Sequence, residues 1–363
     1  MTGGPRRPAG KEHANPPKEQ LRGGQAIRSG SPDVRHMGNR DIVVIGASTG
    51  GVELLLDLVS DLPGSFPGAV FVVIHTAPGF LSSLPALLSQ RGPLPAIHPQ
   101  HGDQIEPGRI YVAPPDNHLL VRSGFVEVVR GPKENGHRPA VDPLFRSASW
   151  SYGPRVVGVV MSGHLDCGTG GLMSVKARGG IAVAQDPRSA VAPDMPRSAI
   201  RSVRVDHVVE PAELPGLLLR LTAQPAQGVP APVGGLDVLE GTKPGAPAEL
   251  VCPTCNGVLT EVTVGEFRQF RCHVGHAFSL DSLIGEQTEE VERALWAAVR
   301  SLEEGSALAR RLSFVQPGDA LRERFADRET SLRHQAEIIR RILLRGSPRV
   351  EGEETDRAAA QDQ

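Results

Sequence analysis

The apolar run Ile42 to Ile45 is entirely β-branched, as expected of a parallel strand buried on both faces. It breaks at "GASTGG" and resumes as "VELLLDLVSDL", where Val52, Leu55, Leu56 and Val59 share one side of a helix. The same alternation continues to about Leu221. "AVFVVIH" (69–75), "RIYVAP" (109–114), "RVVGVVMSG" (155–163) and "GGIAVAQ" (179–185) predict strands. "PALLSQRG", "DPLFRSASW", "GLMSVKARG" and "PAELPGLLLRL" predict helices. Strands alternating with helices argue for an α/β domain on a mainly parallel sheet. "HLLVRSGFVEVVR" (118–130) predicts a hairpin turned at Ser123-Gly124, an antiparallel excursion from that sheet.

Composition sets the boundaries around this domain, placed at 39–222. Residues 1–38 are rich in Gly, Pro and Arg and predict a disordered basic tail. Residues 223–249 form a Pro/Gly-rich linker. A cysteine-bearing module follows at 250–279. Two helical patterns, punctuated at Pro317-Gly318, then predict a helical hairpin or coiled coil over 280–346. Val291, Leu295, Ala298, Leu302 and Ala309 mark the stripe of the first helix. Leu321, Phe325, Leu332, Ala336, Ile339 and Leu343 mark that of the second. Residues 347–363 predict a disordered acidic tail.

Charge changes the picture by exclusion. With 39 basic and 41 acidic residues the formal net charge is −2, which gives no electrostatic case for a nucleic-acid protein. No apolar run is long enough to span a bilayer, so no membrane insertion is expected. The chain starts without an apolar signal core, and three of its four cysteines cluster in one segment. A reduced, cytoplasmic setting follows.

Ser48 lies on the strand-to-helix turn, and Gly46-x-Ser48-x-Gly50 fits a nucleophile elbow. The pattern also fits a phosphate-binding turn or a plain structural one. The wider series reads "IGASTGG", "VVIHTAPGF", "GDQIEPGRIYVAPPDNHLLV", "HRPAVDPLF", "VGVVMSGHLDCGTGGL", "AVAQDP" and "MPRSAI", in that order. This series, over about 41–222, resembles the catalytic domain of the chemotaxis methylesterases, the CheB family. The resemblance implies a doubly wound α/β fold with a Ser-His-Asp-type hydrolase site that needs no cofactor for catalysis. It also implies hydrolysis of glutamate methyl esters on methylated chemoreceptors and deamidation of certain glutamines. Ser48 resembles the nucleophile and His75 the general base, with Thr49 beside the nucleophile in the substrate pocket.

The acid position departs from the family. Cys167 stands before Gly168 where the family has aspartate, and Asp166 lies one residue earlier. Asp166 is therefore the candidate acid. The alternatives are a slow enzyme without a carboxylate, a binding remnant, or Cys167 as a reactive thiol. His164 stands where relatives carry a methionine lining the oxyanion pocket, so His164 and Cys167 join the expected pocket. His137, Arg138 and Asp142 fall in a family motif and read as local structure, with Asp142 capping the helix that follows. Residues 1–40 are too short for the phosphorylated receiver domain that family members commonly carry.

"CPTC" (252–255) and "CHVGH" (272–276) flank a strand-like stretch, the pattern of a zinc ribbon. A structural zinc would take Cys252, Cys255, Cys272 and one histidine. His276 is preferred over His273, since "GHAFS" resembles the tail segment of stand-alone methylesterases. The ribbon lacks a dense basic and aromatic face, so it predicts protein docking. The C-terminal helices suggest a homodimer contact or a signalling partner. Two other readings stand beside the methylesterase: a catalytically weakened adaptor working through the zinc and helical module, and a small-molecule esterase.

Overall fold

The β-branched run at the start of the domain becomes the central strand of a parallel sheet. The computed structural model describes residues 38–76, 82–227, 246–264, 267–315 and 318–345. Nearly all of the expected basic tail, most of the linker and the acidic tail lie outside the described residues. Strands β1 (Ile42–Ala47), β2 (Ala69–Ile74), β3 (Ala96–Ile97) and β4 (Ile110–Val112) form one half of the sheet. Helices α1 (Gly51–Asp61) and α2 (Leu84–Arg91) connect them. The chain then makes the hairpin β5 (His118–Arg122) and β6 (Phe125–Val129) and enters α3 (Val141–Tyr152). Strands β7 (Val156–Val160), β8 (Ile181–Gln185) and β9 (His207–Val209) complete the sheet, with α4 (Thr169–Ala177), α5 (Asp194–Ser202) and α6 (Leu214–Thr222).

The strand order is β3-β4-β2-β1-β7-β8-β9 in a seven-stranded sheet. Every pairing in it is parallel. Residues alternate across β1. Ile42 and Val44 pack with α3, α4, α5 and the β5–β6 hairpin. Val43, Ile45 and Ala47 pack with α1, α2 and α6. This is the doubly wound arrangement expected from the sequence. The chain winds outward from β1 to one edge, then returns to place β7 on the other side. The strand order therefore reverses at β1, and a crevice opens between the C-terminal ends of β1 and its neighbours.

The second module begins earlier than the linker pattern indicated. β10 (Ala246–Val251), β11 (Val258–Val264), β12 (Phe267–Cys272) and β13 (Ala277–Ser279) form a four-stranded antiparallel sheet. The first strand thus takes up the end of the stretch read as linker. Cys252, Leu259, Phe270, Cys272, Phe278 and Leu283 make its small core. Helices α7 (Leu280–Val315) and α8 (Asp319–Leu344) form the hairpin. In α7, Val299, Ser306 and Ala309 are buried, as is Ala336 of α8, and the Ser306 hydroxyl donates across the seam to the Glu329 carbonyl at 3.3 Å. Val291 is 58% exposed and lies off the seam, unlike the stripe read from the sequence. The seam is built of small residues, so the helices approach closely: a Cβ on Gly305 would stand 3.3 Å from Leu332.

Packing is tight where α3 crosses β1. A Cβ on Gly46 would collide with both γ-methyl groups of Val141. Gly46→Ala is expected to destabilise the domain by about 1–3 kcal/mol through overpacking. Chemical denaturation checks this, and pairing it with Val141→Ala should recover part of the loss.

Candidate active site and a cysteine–histidine cluster

Ser48 leaves the end of β1 in a tight turn. The Gly51 N–H donates to the Ser48 carbonyl at 2.9 Å, and Gly50 takes a left-handed φ of 76°. A side chain there would be strained, and its Cβ would also press on Val191. The serine itself has no positive φ, so Gly50 carries the unusual backbone of the elbow. The turn is tied to the loop after β7. The Ser48 N–H donates to the Ser162 carbonyl at 2.8 Å, and the Ser162 hydroxyl donates to the Thr49 carbonyl at 2.7 Å. Gly163 approaches so closely that a Cβ on it would lie 2.8 Å from the Ser48 Cβ.

Ser48 and His75 line one open cleft of about 410 Å³, together with Thr49, Val52, Thr76 and Leu87. The structure thus brings together the expected nucleophile, the expected base and the expected pocket threonine. His75 follows β2, the strand beside β1. Its Nε2 atom is buried and has no hydrogen-bond partner. Burial, and secondarily the neighbouring His137, hold its pKa well below 6.5. A neutral imidazole with a free ring nitrogen is the state a general base needs.

Asp166 is placed elsewhere. Its Oδ1 accepts from the Ser279 hydroxyl at 2.6 Å and the Ser282 hydroxyl at 2.8 Å, both at the β13–α7 junction. No hydrogen bond joins it, or any other carboxylate among the described residues, to His75. The reason is local: Leu165 takes a left-handed φ of 60°, and Asp166 meets two hydroxyl donors of the C-terminal module. Burial raises its pKa to about 6 against the opposing pull of those hydroxyls.

His164 and Cys167 also differ from the expected pocket placement, for neither lines the cleft. After Gly163 the chain turns away from Ser48. His164 points to solvent, its Nδ1 3.4 Å from Asp194 Oδ2. Cys167 is buried in the α3 core, where its sulfur accepts from the Val141 N–H at 3.4 Å. Burial and the nearby Asp142 push its thiol pKa far up, so it lacks the thiolate character of a reactive cysteine.

Two residues of "HRPAVDPLF" do more than local structure requires. Asp142 lies in the first turn of α3 but caps a different helix. Its carboxylate accepts from the Gly168 N–H at 3.0 Å, the Gly171 N–H at 2.5 Å and the Asn135 amide at 2.8 Å, closing the start of α4. His137 stacks on His75, with ring centroids 3.6 Å apart and planes 16° from parallel. Burial, then Lys133, lowers its pKa to about 4. The overlooked signal was "ENGH" (134–137), an Asn-Gly turn that presents the following residue.

In the second module Cys252, Cys255, Cys272 and His276 place their ligand atoms within 4.8 Å of one another. Cys255 Sγ lies 3.6 Å from Cys272 Sγ, and His276 Nδ1 lies 3.7 Å from Cys252 Sγ and 3.5 Å from Cys272 Sγ. Tetrahedral zinc, with bonds of about 2.3 Å to sulfur and about 2.0 Å to nitrogen, sets ligands about 3.5–3.8 Å apart. The residues fit such an ion. His273 is exposed and outside the cluster. Left-handed residues Asn256 and Gly275 shape the two turns that gather the ligands.

A serine and a neutral histidine thus stand at adjacent strand ends of a doubly wound parallel sheet, which defines an α/β domain. The family model described as CheB methylesterase matches residues 43–218, and this domain of the chain belongs to that family. Two relatives from Anaeromyxobacter dehalogenans carry the name protein-glutamate methylesterase/protein-glutamine glutaminase. One is 37% identical over 182 residues, covering 50% of this chain and 53% of the relative. The other is 42% identical over 184 residues, covering 50% and 51%. A Pyrococcus abyssi protein of that name is 37% identical over 185 residues, covering 50% of each chain. The chain spans about half the length of these curated relatives. The crystal structure of the Thermotoga maritima CheB methylesterase catalytic domain is 34% identical, with a TM-score of 0.49, covering 51% of this chain and 98% of that one. Among the described residues, no helix is long and apolar enough to cross a membrane.

The clasped Asp166 makes stability pH-dependent. Its folded pKa of about 6 lies above the ordinary 3.8, so the folded state holds the proton more tightly than the unfolded state. That contribution is complete below the ordinary value and is lost as pH rises through about 6. The loss amounts to about 3 kcal/mol for a shift of this size. Asp166→Asn is expected to lose less stability than the parent between about pH 4 and about pH 7.5. Equal pH slopes in denaturant titrations of the two proteins would contradict this assignment.

Proposed function

We propose that the domain is a protein-glutamate methylesterase, with glutamine deamidation as its parallel reaction, acting on methylated chemoreceptors or similar sensor proteins. The carrying observation is the shared cleft of Ser48 and His75, with the histidine held neutral and its Nε2 unpartnered. Ser48 Oγ attacks the ester carbonyl and His75 takes the serine proton. The tetrahedral intermediate collapses when His75 returns that proton to the departing methoxide, releasing methanol. Water, deprotonated by His75, then cleaves the acyl-enzyme to leave a glutamate side chain and free Ser48. For a glutamine the leaving group is ammonia. Backbone N–H groups of Thr49 and Gly50, just ahead of α1, are the candidate stabilisers of the oxyanion.

We also assign a structural zinc to Cys252, Cys255, Cys272 and His276. A closed four-ligand set leaves no position for substrate, so the metal supplies folding energy to the ribbon and no catalytic step. The α7–α8 hairpin extends from this module as the element for contact with a second copy or a signalling protein, in a cytoplasmic setting.

The test is methanol release from methylated receptor by the full chain. Ser48→Ala is expected to lower the rate by about 10⁴-fold or more. Release that survives this substitution overturns the assigned nucleophile. Native mass spectrometry is expected to show one zinc per chain, lost in Cys255→Ser and on chelation, with the ribbon melting at lower temperature. A metal-free native mass would remove the zinc assignment.

A further inference from the structure

We propose that His137 is a positioning residue for His75 and fixes the plane of the base where no carboxylate does so. The inference rests on the methylesterase reading of the cleft. It starts from a deficit. A catalytic histidine needs a second group to hold its ring at the angle for proton transfer. Here Cys167 occupies the position at which the family resemblance puts the acid, and its sulfur is engaged with the Val141 N–H. Asp166 is held by Ser279 and Ser282. The partner His75 does have is a face: the His137 ring, 3.6 Å away and 16° from parallel.

The backbone that carries the His137 ring is held on both sides. The His137 backbone N–H donates to the Glu134 carbonyl at 2.9 Å, and the Glu134 backbone N–H donates back to the His137 carbonyl at 3.2 Å. Asn135 and Gly136 between them both have positive φ, at 50° and 77°, as a tight Asn-Gly hairpin turn requires. Glu134 is paired through both carboxylate oxygens to Arg146 of α3, at 2.6 and 2.9 Å. Asn135 reaches Asp142 with its amide nitrogen and receives the Ser279 N–H on its amide oxygen at 2.9 Å. The turn therefore belongs to the core of the domain and to the edge of the ribbon at once.

The stack supplies orientation without charge. His75 faces one titratable ring, that of His137, and the charge acting on His137 is Lys133 on the same turn. With its pKa lowered to about 4, His137 is neutral near neutral pH, so the repulsion by which it lowers the His75 pKa acts only in acid, where both rings carry charge. A neutral aromatic face beside a cation is weakly attractive. It also shields one side of the base from water, which keeps His75 deprotonated at rest.

The experiment uses the full chain with His137→Ala and His137→Phe. It reads methanol release over a range of pH and the titration of the His75 ring by NMR. In His137→Ala, kcat is expected to fall about 10²-fold with KM little changed, the cost of a misplaced catalytic group. The acid limb of the rate profile and the His75 titration should both move up toward 6.5 as water reaches the ring. His137→Phe keeps a flat face and should recover most of the rate and the low titration point. A His75 titration and rate profile unchanged in His137→Ala would overturn the proposal. So would His137→Phe behaving like His137→Ala while both variants melt cooperatively near the parent temperature. A parent protein that releases no methanol, yet shows the NMR shift in His137→Ala and its recovery in His137→Phe, would support the stack and refute the methylesterase reading instead.

Discussion

One buried carboxylate holds together the end of this domain that carries Ser48 and His75. Asp142 accepts from two backbone N–H groups at the start of α4 and from the Asn135 side chain. It therefore joins α3, the loop that follows β7, and the turn that carries His137. Burial raises its pKa, so the surrounding donors do not fully repay its desolvation. Such a group is weak evidence for stability and stronger evidence for a defined geometry. Each hydrogen bond to it contributes about 1.5–3 kcal/mol, and removing the carboxylate would leave N–H groups of a buried helix terminus unpaired. The sequence around it follows: Gly168 takes a left-handed φ of 98° and Gly171 leaves no room for a side chain against the Asp142 backbone.

The same turn is where the C-terminal module joins. The Asn135 N–H donates to the Ala277 carbonyl at 2.8 Å, and the Ala277 N–H donates to the Lys133 carbonyl at 3.3 Å. Ala277 is the residue after His276 of the cysteine–histidine cluster. Ser279 and Ser282 follow within the same stretch and clasp Asp166. The ribbon is thus hydrogen-bonded to the turn that carries His137 and to the loop that follows β7. Glu286 of α7 lies against Gly136, where any side chain would collide with it. Ligand geometry in the ribbon, the Asn-Gly turn and the His137 ring form one continuous set of contacts.

The sheet was legible because its strands are short, β-branched and separated by helical stripes. The cleft was legible because Ser48 and His75 each end such a strand. β3 and β9 were missed, being two- and three-residue strands with too few positions to show a period. The Asp166 contact could not be read from the sequence. Its partners, Ser279 and Ser282, are more than a hundred positions away in a different module. Asp142 was assigned to its own helix because local spacing favours that cap, whereas the tertiary fold brings the α4 terminus to it. The His137 stack had a local cue in Asn135-Gly136, but the face it meets belongs to a residue on another strand end.

On the proposed methylesterase reading, the absence of a carboxylate beside His75 would weigh more on charging the imidazole than on orienting it. A triad carboxylate does two things: it fixes the histidine tautomer and ring plane, and it stabilises the imidazolium. The second function matters most when the imidazole is otherwise hard to charge, and His75, buried with a depressed pKa, is such a case. In the proposed arrangement the neutral His137 face would supply the first function and little of the second. Used as the proposed base, His75 would stay deprotonated to low pH and would accept the serine proton less readily. Asp166 does not offset that cost, because its charge is committed to the module that covers the far side of the loop.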